Sequence, residues 1–155
     1  MSDTIFDKIV RGEMSAYTVW EDEGYIAFLT PFAGTPGNTV VIPKTKQADY
    51  VYDLTPEQLA GLMEATRTVA ALLKQAFEDC HRVALVFEGT GVAYVHAKLY
   101  PLHGELSGQT DVWTKHQEFY PEYPGYITTV EGPLMAAEEL TRIQKQIIAT
   151  REAAA

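Results

Sequence analysis

Polar and apolar side chains alternate along residues 94–101, which read Tyr-Val-His-Ala-Lys-Leu-Tyr-Pro. A period of two is typical of a β-strand whose two faces differ in polarity. The pattern predicts a strand over 92–100, with Tyr94, His96 and Lys98 on one face and the apolar residues between them in a core. A neutral imidazole is nucleophilic near pH 7, and an ammonium beside it supplies fixed positive charge. This face therefore suits the binding and attack of a phosphate.

The rest of the chain predicts helices and strands that mix without regular βαβ alternation. Thr55-Pro56-Glu57-Gln58 is typical of a helix start, because Thr55 can cap the helix and Gln58 completes a capping box. Strands are predicted at 17–21, 25–29, 39–42, 83–87, 92–100 and 126–130, and helices at 4–11, at 55–79 and from Pro133 onward. The runs 83–87 and 92–100 are expected to pair as a hairpin. The order favours an α+β fold around an antiparallel sheet.

Length and composition indicate one globular domain over residues 1–155. The chain has 155 residues, of which 46% are hydrophobic and 21% charged. The net charge of −9 argues against a nucleic-acid or anionic-membrane surface, because such partners need clustered Lys and Arg. Cys80 is the single cysteine, which excludes an intramolecular disulfide and a Cys-based zinc site. We expect a cytoplasmic protein with neither a signal peptide nor a membrane span.

Three blocks of sequence resemble a known family. They are Ile5-Phe6-Asp7-Lys8-Ile9-Val10-Arg11-Gly12-Glu13, then Ala27-Phe28-Leu29 followed by Pro36-Gly37-Asn38-Thr39-Val40-Val41-Ile42-Pro43-Lys44, and then Leu54-Thr55-Pro56-Glu57. Together they are similar to the histidine triad (HIT) superfamily of nucleotide hydrolases and transferases. The resemblance covers about residues 4–101, and residues 102–155 form a divergent extension. It implies an antiparallel sheet with a long helix packed on it, to which this chain adds a C-terminal strand and helix. It also implies a homodimer formed through the long helix and a shared sheet edge.

The family signature is three histidines that alternate with apolar residues, and this chain can be aligned with it in two registers. Anchored on Pro101, the three positions hold Tyr94, His96 and Lys98. Anchored on His96 as the first histidine, Lys98 and Tyr100 take the second and third positions. The first register keeps His96 at the place of the family's nucleophile, whereas the second removes the nucleophile. We favour the first register because it preserves the apolar pair before the proline.

In the first register the resemblance implies attack of His96 on the α-phosphorus of a nucleotide, which gives a covalent nucleotidyl-histidine. Lys98 would stabilise charge on the phosphate oxygens, and Tyr94 would complete the catalytic set. The implied ligand is a purine nucleotide or another small phosphate compound, such as a dinucleoside polyphosphate or a nucleoside phosphoramidate. No cofactor is required and no protein-bound metal is expected. Whether Mg²⁺ accompanies the nucleotide stays open.

The resemblance also assigns a substrate-binding set that departs from the family pattern at several positions. The set comprises an apolar slot for the base and several polar or backbone groups: Ile5, Phe6, Ile9, Phe28, Thr30, Asn38, Glu88, Gly89 and His103. Thr30 stands where the family often has an aspartate for the ribose hydroxyls, and Asn38 where a histidine is common. His103 fits a loop position behind the site better than a catalytic role. These changes affect the identity of the substrate more than the fold.

Each of these residues also has a purely structural interpretation. His96 is also compatible with a buried histidine satisfied by hydrogen bonds, an interpretation that the family blocks disfavour, Lys98 with an ion pair, and Tyr94 with cross-strand packing. A non-catalytic binding or interaction protein with the same fold is therefore the alternative function. An enzyme repurposed for a non-nucleotide substrate, with Lys98 as the working residue, is a third. The aromatic stretch 113–126 either covers the site or forms a packing layer or dimer contact.

Overall fold

The computed structural model describes residues 3–111 and 134–153. Its helices and strands follow in the order α1 (Ile5–Val10), β1 (Tyr17–Glu21), β2 (Tyr25–Leu29), β3 (Thr39–Pro43), α2 (Pro56–Ala76), β4 (Arg82–Val86), β5 (Ala97–Leu102) and α3 (Ala137–Ala153). Short 3₁₀ turns lie at Val51–Asp53 and Glu105–Gly108. The described strands form one antiparallel sheet in the order β1-β2-β3-β5-β4. The predicted α+β fold is confirmed, as is the pairing of β4 with β5.

Helix α2 begins where the sequence predicts. The Oγ1 atom of Thr55 accepts a hydrogen bond from the backbone N–H of Gln58 at 3.2 Å, and the Gln58 side chain accepts one from the N–H of Thr55 at 2.9 Å. This capping box satisfies backbone donors that a helix start would otherwise leave open. Leu62, Val69 and Leu73 line the buried face of the helix, each 0% exposed. The helix is therefore held by its cap and by one apolar face.

The two faces of the sheet carry separate apolar clusters. One cluster lies under α2 and α3 and includes Leu140, Ile143 and Ile147, which share a helix face as predicted. The second cluster lies on the opposite face, where Phe6 of α1 packs with residues of β2 and β3 and with Tyr94. The last helix starts at Ala137, rather than at Pro133. The larger core is thus on one face, and the α1 side is left for a cavity.

Strand β5 is shorter than the alternation predicts, since it begins at Ala97 and not at residue 92. The preceding backbone groups bond outside the sheet: the N–H of Tyr94 donates to the Val92 carbonyl at 2.8 Å, and that of Val95 to the Ala48 carbonyl at 3.2 Å. Side chains still alternate, because Tyr94 and Val95 belong to opposite clusters. The prediction of a strand at 92–96 is therefore wrong, although the assignment of faces holds.

Some predictions fall on the part of the chain that is not described. The strand predicted at 126–130 and the aromatic stretch 113–126 lie outside residues 3–111 and 134–153. Within the described ranges, no helix is both long and apolar enough to cross a bilayer.

Candidate active site

A cavity of about 410 Å³ opens on the α1 side of the sheet. Its apolar part includes Ile5, Phe6, Ile9, Phe28, Phe32 and Val92, and its polar part includes Thr30, Asn38, Thr90, His96, Lys98 and Tyr100. Ile5 and Phe32 are 49% and 46% exposed, so the apolar rim reaches solvent. A volume of this size, with few polar groups at one end, is typical of a small-molecule site.

The His96 ring borders this cavity although the residue is only 5% exposed. Its Nδ1 atom lies 2.7 Å from the carbonyl oxygen of Tyr94. A carbonyl oxygen only accepts, so Nδ1 carries the hydrogen and Nε2 keeps its lone pair. Burial lowers the pKa of His96, and the positive charge of Lys98 lowers it further, against the opposing effects of the Tyr94 carbonyl and Glu88. The ring is therefore a neutral imidazole of defined tautomer.

Lys98 brings positive charge to the same cavity. Its Nζ atom lies 2.8 Å from Oε2 of Glu88, and the two side chains are 15% and 10% exposed. Charges buried to this extent need pairing to offset the loss of hydration. Lys98 borders the cavity, whereas Glu88 does not. The ion pair therefore fixes the ammonium of a residue that borders the same cavity as His96.

The side chain of Tyr94 is placed differently from the prediction, because it does not border the cavity. It is 1% exposed, and its hydroxyl donates a 2.6 Å hydrogen bond to the carbonyl of Pro43. Burial raises the pKa of Tyr94 to about 12, so the phenol stays protonated. The group of Tyr94 that contacts His96 is its backbone carbonyl.

Most of the predicted substrate-binding residues meet at the cavity: Ile5, Phe6, Ile9, Phe28, Thr30 and Asn38 all border it. The Oγ1 atom of Thr30 accepts from the backbone N–H of Phe32 at 3.2 Å, which leaves its hydroxyl hydrogen for another acceptor. Asn38 is 4% exposed, and its amide donates to the carbonyl of Leu99 at 2.9 Å. Asn38 thus joins the cavity wall to β5.

Besides Tyr94, three residues of the predicted substrate-binding set lie outside the cavity lining. Glu88 contacts Lys98, and Gly89 has a left-handed φ of +71° with the ring of Tyr50 packed nearby. His103 bonds instead to Asp79 and to the carbonyl of Pro36. From the same glycine loop, Thr90 and Gly91 do border the cavity. The loop thus contributes to the site through residues other than Gly89.

Sequence reasoning missed some of the lining residues. Tyr100, which is a candidate site residue only in the second register, borders the cavity beyond Lys98, at the next position with the same strand period. Phe32 and Met14 come from irregular segments with no pattern to indicate them. Across residues 3–111 and 134–153, no three His, Cys, Asp or Glu side chains are grouped as metal ligands would be.

The HIT domain family model matches residues 11–103, a range that contains β1 to β5 and the cavity residues of β5. The protein named hit from Bacillus subtilis is 32% identical over 120 residues, covering 75% of this chain and 82% of that protein. A crystal structure of a HIT family member from Bacillus subtilis superposes with a TM-score of 0.61 at 31% identity, covering 74% of this chain and 84% of the other.

A structure described as a hypothetical histidine triad nucleotide-binding protein from Sulfolobus tokodaii has a TM-score of 0.70 at 23% identity, over 96% of this chain and 92% of the other. At that identity the likeness concerns the fold. The matched range, the Bacillus relative and the sheet order agree with the resemblance found in the sequence blocks. The chain is a member of the HIT family.

Proposed function

We propose that this protein is a nucleotide hydrolase or nucleotidyl transferase that acts at an α-phosphate through a covalent nucleotidyl intermediate on His96. The observation that carries the proposal is the 2.7 Å hydrogen bond between Nδ1 of His96 and the Tyr94 carbonyl. It fixes the tautomer in which Nε2 is nucleophilic, at the edge of a cavity that also holds Lys98. It also supports the register in which His96 takes the nucleophile's position.

The proposed reaction has two displacements at phosphorus. In the first, Nε2 of His96 forms a bond to the α-phosphorus, and the leaving group departs with the electron pair of the broken bond and takes up a proton. The ring then carries a positive charge, which the Tyr94 carbonyl stabilises through Nδ1–H. In the second, water or another acceptor attacks the phosphorus and loses a proton, the P–N bond breaks, and the neutral ring returns.

The cavity supports a nucleotide as the ligand class. The apolar part includes Phe6, Ile9 and Phe28, whose side chains could pack against a flat base, and Thr30 retains a hydroxyl hydrogen for a sugar oxygen. The Lys98 ammonium lies at the polar end, where it would offset negative charge on the phosphate. The ligand class we propose is a purine nucleotide, as a nucleoside phosphoramidate or a dinucleoside polyphosphate. The Sulfolobus protein named above is described as nucleotide-binding.

One observation favours a second candidate function, a nucleotide-binding protein without turnover. The Lys98 ammonium is engaged by Glu88 at 2.8 Å, which weakens the field it offers to a phosphate. Such a protein would bind AMP and gain thermal stability without consuming any phosphoramidate or polyphosphate. Turnover that depends on His96 excludes this candidate.

We also propose that the protein is a homodimer. Among the described strands, β4 lies at one edge of the sheet, where its outer backbone groups have no strand partner in that sheet. Leu59 and Met63 are 38% and 40% exposed on α2, the helix that packs against β4 and β5. Pairing of two copies through the β4 edge and α2 would give the outer backbone groups of β4 strand partners and would bury Leu59 and Met63.

The decisive experiment compares the wild type with His96→Ala on adenosine phosphoramidate and diadenosine polyphosphate substrates. We expect turnover in the wild type, a phosphorus-containing mass adduct after rapid quench in denaturant at alkaline pH, where a P–N bond to histidine survives, and neither in His96→Ala. His81→Ala is the matched control, since His81 does not border the cavity. Circular dichroism and thermal melting verify folding of both variants. Turnover that survives in folded His96→Ala, or a folded wild type inert on both substrates, contradicts the proposal.

A further inference from the structure

His103 joins the end of β5 to the segment that forms one wall of the cavity. Its Nδ1 atom lies 2.9 Å from Oδ1 of Asp79, and its Nε2 atom lies 2.9 Å from the carbonyl oxygen of Pro36. The ring also packs edge-on against Phe77, with ring centroids 5.0 Å apart. Oδ2 of Asp79 accepts a further bond from the N–H of Gly104 at 3.1 Å. The imidazole is therefore held by Asp79, Phe77 and Pro36, and Pro36 belongs to the segment that forms one wall of the cavity.

The wall segment comprises residues 30–38, and Thr30, Phe32 and Asn38 border the cavity. Its two ends are tied to each other, because the N–H of Thr30 donates to the carbonyl of Asn38 at 3.1 Å. Gly37 has a φ of +79°, and a Cβ placed there would lie 2.6 Å from the Phe77 ring. The backbone next to Pro36 thus packs closely against the Phe77 ring beside His103. A change at the Pro36 contact is therefore expected to alter the position of Asn38, two residues further along the chain.

The two partners of the His103 ring both accept hydrogen bonds. A carbonyl oxygen has no hydrogen, and the bond from His103 holds the pKa of Asp79 below its usual value, so this carboxylate is ionised. Only a ring that carries hydrogen on both nitrogens can donate to both oxygens. When the ring loses one proton, the carboxylate retains Nδ1–H, and the Nε2 lone pair then faces the lone pairs of the Pro36 carbonyl. The contact to the wall is therefore the one that is lost.

Among the described residues, the ionisable groups around this contact lie on two segments. Residues 77–81, the turn after α2 that packs against the ring, carry Glu78, Asp79, Cys80 and His81, and the segment after β5 carries Glu105. The wall segment 30–38 contains no ionisable side chain. Asp79 is the ionisable side chain within hydrogen-bond distance of the ring. Protonation of His103 is thus the change expected to alter the wall.

We propose that His103 is a positioning residue that holds the 30–38 wall through Pro36 only while its ring is doubly protonated. Loss of the proton loosens the wall and weakens ligand binding roughly two- to tenfold, the range expected for one hydrogen bond. The effect on the wall is independent of what the cavity binds. The effect on affinity rests on the proposed nucleotide function.

The first test follows the isotope-labelled 155-residue chain by NMR between pH 5 and 8, the range in which histidines ordinarily titrate. We expect the backbone amide signals of Thr30, Phe32 and Asn38 to change with the same midpoint as the His103 ring. In His103→Gln this inflection disappears, whereas in the control His81→Gln it is retained. Wall amides that do not respond in the wild type, or that respond equally in His103→Gln, overturn the proposal.

If His103→Gln folds poorly, two further measurements test the proposal. Asp79→Asn removes the charge that favours the doubly protonated ring, so the midpoint of the wall amides shifts to lower pH; an unchanged midpoint overturns the proposal. Calorimetry with AMP then compares pH 5.5 with pH 8. The two- to tenfold loss of affinity at pH 8 should be present in the wild type and smaller in His103→Gln. If AMP does not bind at either pH, the nucleotide function fails, and the wall amides alone decide the role of His103.

Discussion

The Nδ1 atom of His96 lies 2.7 Å from the carbonyl oxygen of Tyr94, two residues earlier in the chain. Because the acceptor is a backbone atom, it is present whatever side chain residue 94 carries. The side chain of Tyr94 meanwhile packs on the α1 side and bonds to Pro43. Orientation of the imidazole and packing of residue 94 are therefore separate functions, and substitutions can distinguish them.

Tyr94→Phe tests this separation. The change removes the hydroxyl that donates to the Pro43 carbonyl at 2.6 Å and leaves that oxygen without this donor. We expect the free energy of unfolding to fall by about 1–3 kcal/mol, with turnover within a few-fold of wild type because the carbonyl of residue 94 remains. Chemical denaturation and steady-state kinetics measure the two effects. Tyr52→Phe, at a residue 83% exposed, is the control and should change neither. Turnover lost with unchanged stability would assign the phenol a catalytic role.

The pH dependence of the reaction should reflect the neutral state of His96. Burial lowers its pKa from the ordinary 6.5, so the imidazole remains unprotonated below that pH. We expect kcat/KM to hold its plateau below pH 6.5 and to fall only at lower pH, as Nε2 takes up a proton. A descending limb with a midpoint above 6.5 would contradict the neutral nucleophile.

The same pKa shift predicts how stability changes with pH. The unfolded chain takes up a proton near pH 6.5, before the folded protein does, so the contribution of His96 to the free energy of unfolding is fully present above that pH and falls as the pH decreases. As the pH is lowered, the melting temperature of the wild type should therefore fall relative to that of His96→Ala. A difference that does not depend on pH would show that His96 titrates alike in the folded and unfolded chain.

Lys98→Met separates the charge of Lys98 from its role in the ion pair. Lys98→Met leaves the largely buried carboxylate of Glu88 without the opposite charge of the ammonium, and we expect a loss of about 3–5 kcal/mol in the free energy of unfolding. Turnover should fall about 10²-fold, as for other single groups that stabilise charge in a transition state. In the double variant Lys98→Met/Glu88→Gln, stability should recover while turnover stays low. Recovery of turnover as well would mean that Lys98 acts only by neutralising Glu88.

The proposed dimer can be tested by light scattering after size-exclusion chromatography. We expect a particle of twice the chain mass of 17.2 kDa. Met63→Lys places a charge on the exposed face of α2 and should shift the protein toward the monomer. Leu134→Lys, at a residue 70% exposed just before α3, should leave the mass unchanged. A monomeric wild type at micromolar concentration would refute the dimer.

The sequence predicts best those features that local chemistry decides. The helix start at Thr55 and the buried face of α3 follow from capping and periodicity, and both are found. The onset of β5 could not be predicted, because the N–H of Val95 bonds to the distant carbonyl of Ala48. The role of the Tyr94 carbonyl could not be predicted either. Every residue has a carbonyl, and the sequence pattern does not indicate which one accepts the hydrogen bond from His96.

The two faces of the sheet also differ in how freely they can change. The helices α2 and α3 hold the larger core, whereas the cavity on the other face is lined in part by α1 and by the irregular 30–38 segment. Substitutions of exposed residues there, such as Ile5 and Phe32, change the shape of the cavity and replace no side chain of the larger core. The outline of the cavity can therefore diverge through a handful of positions at small cost to folding.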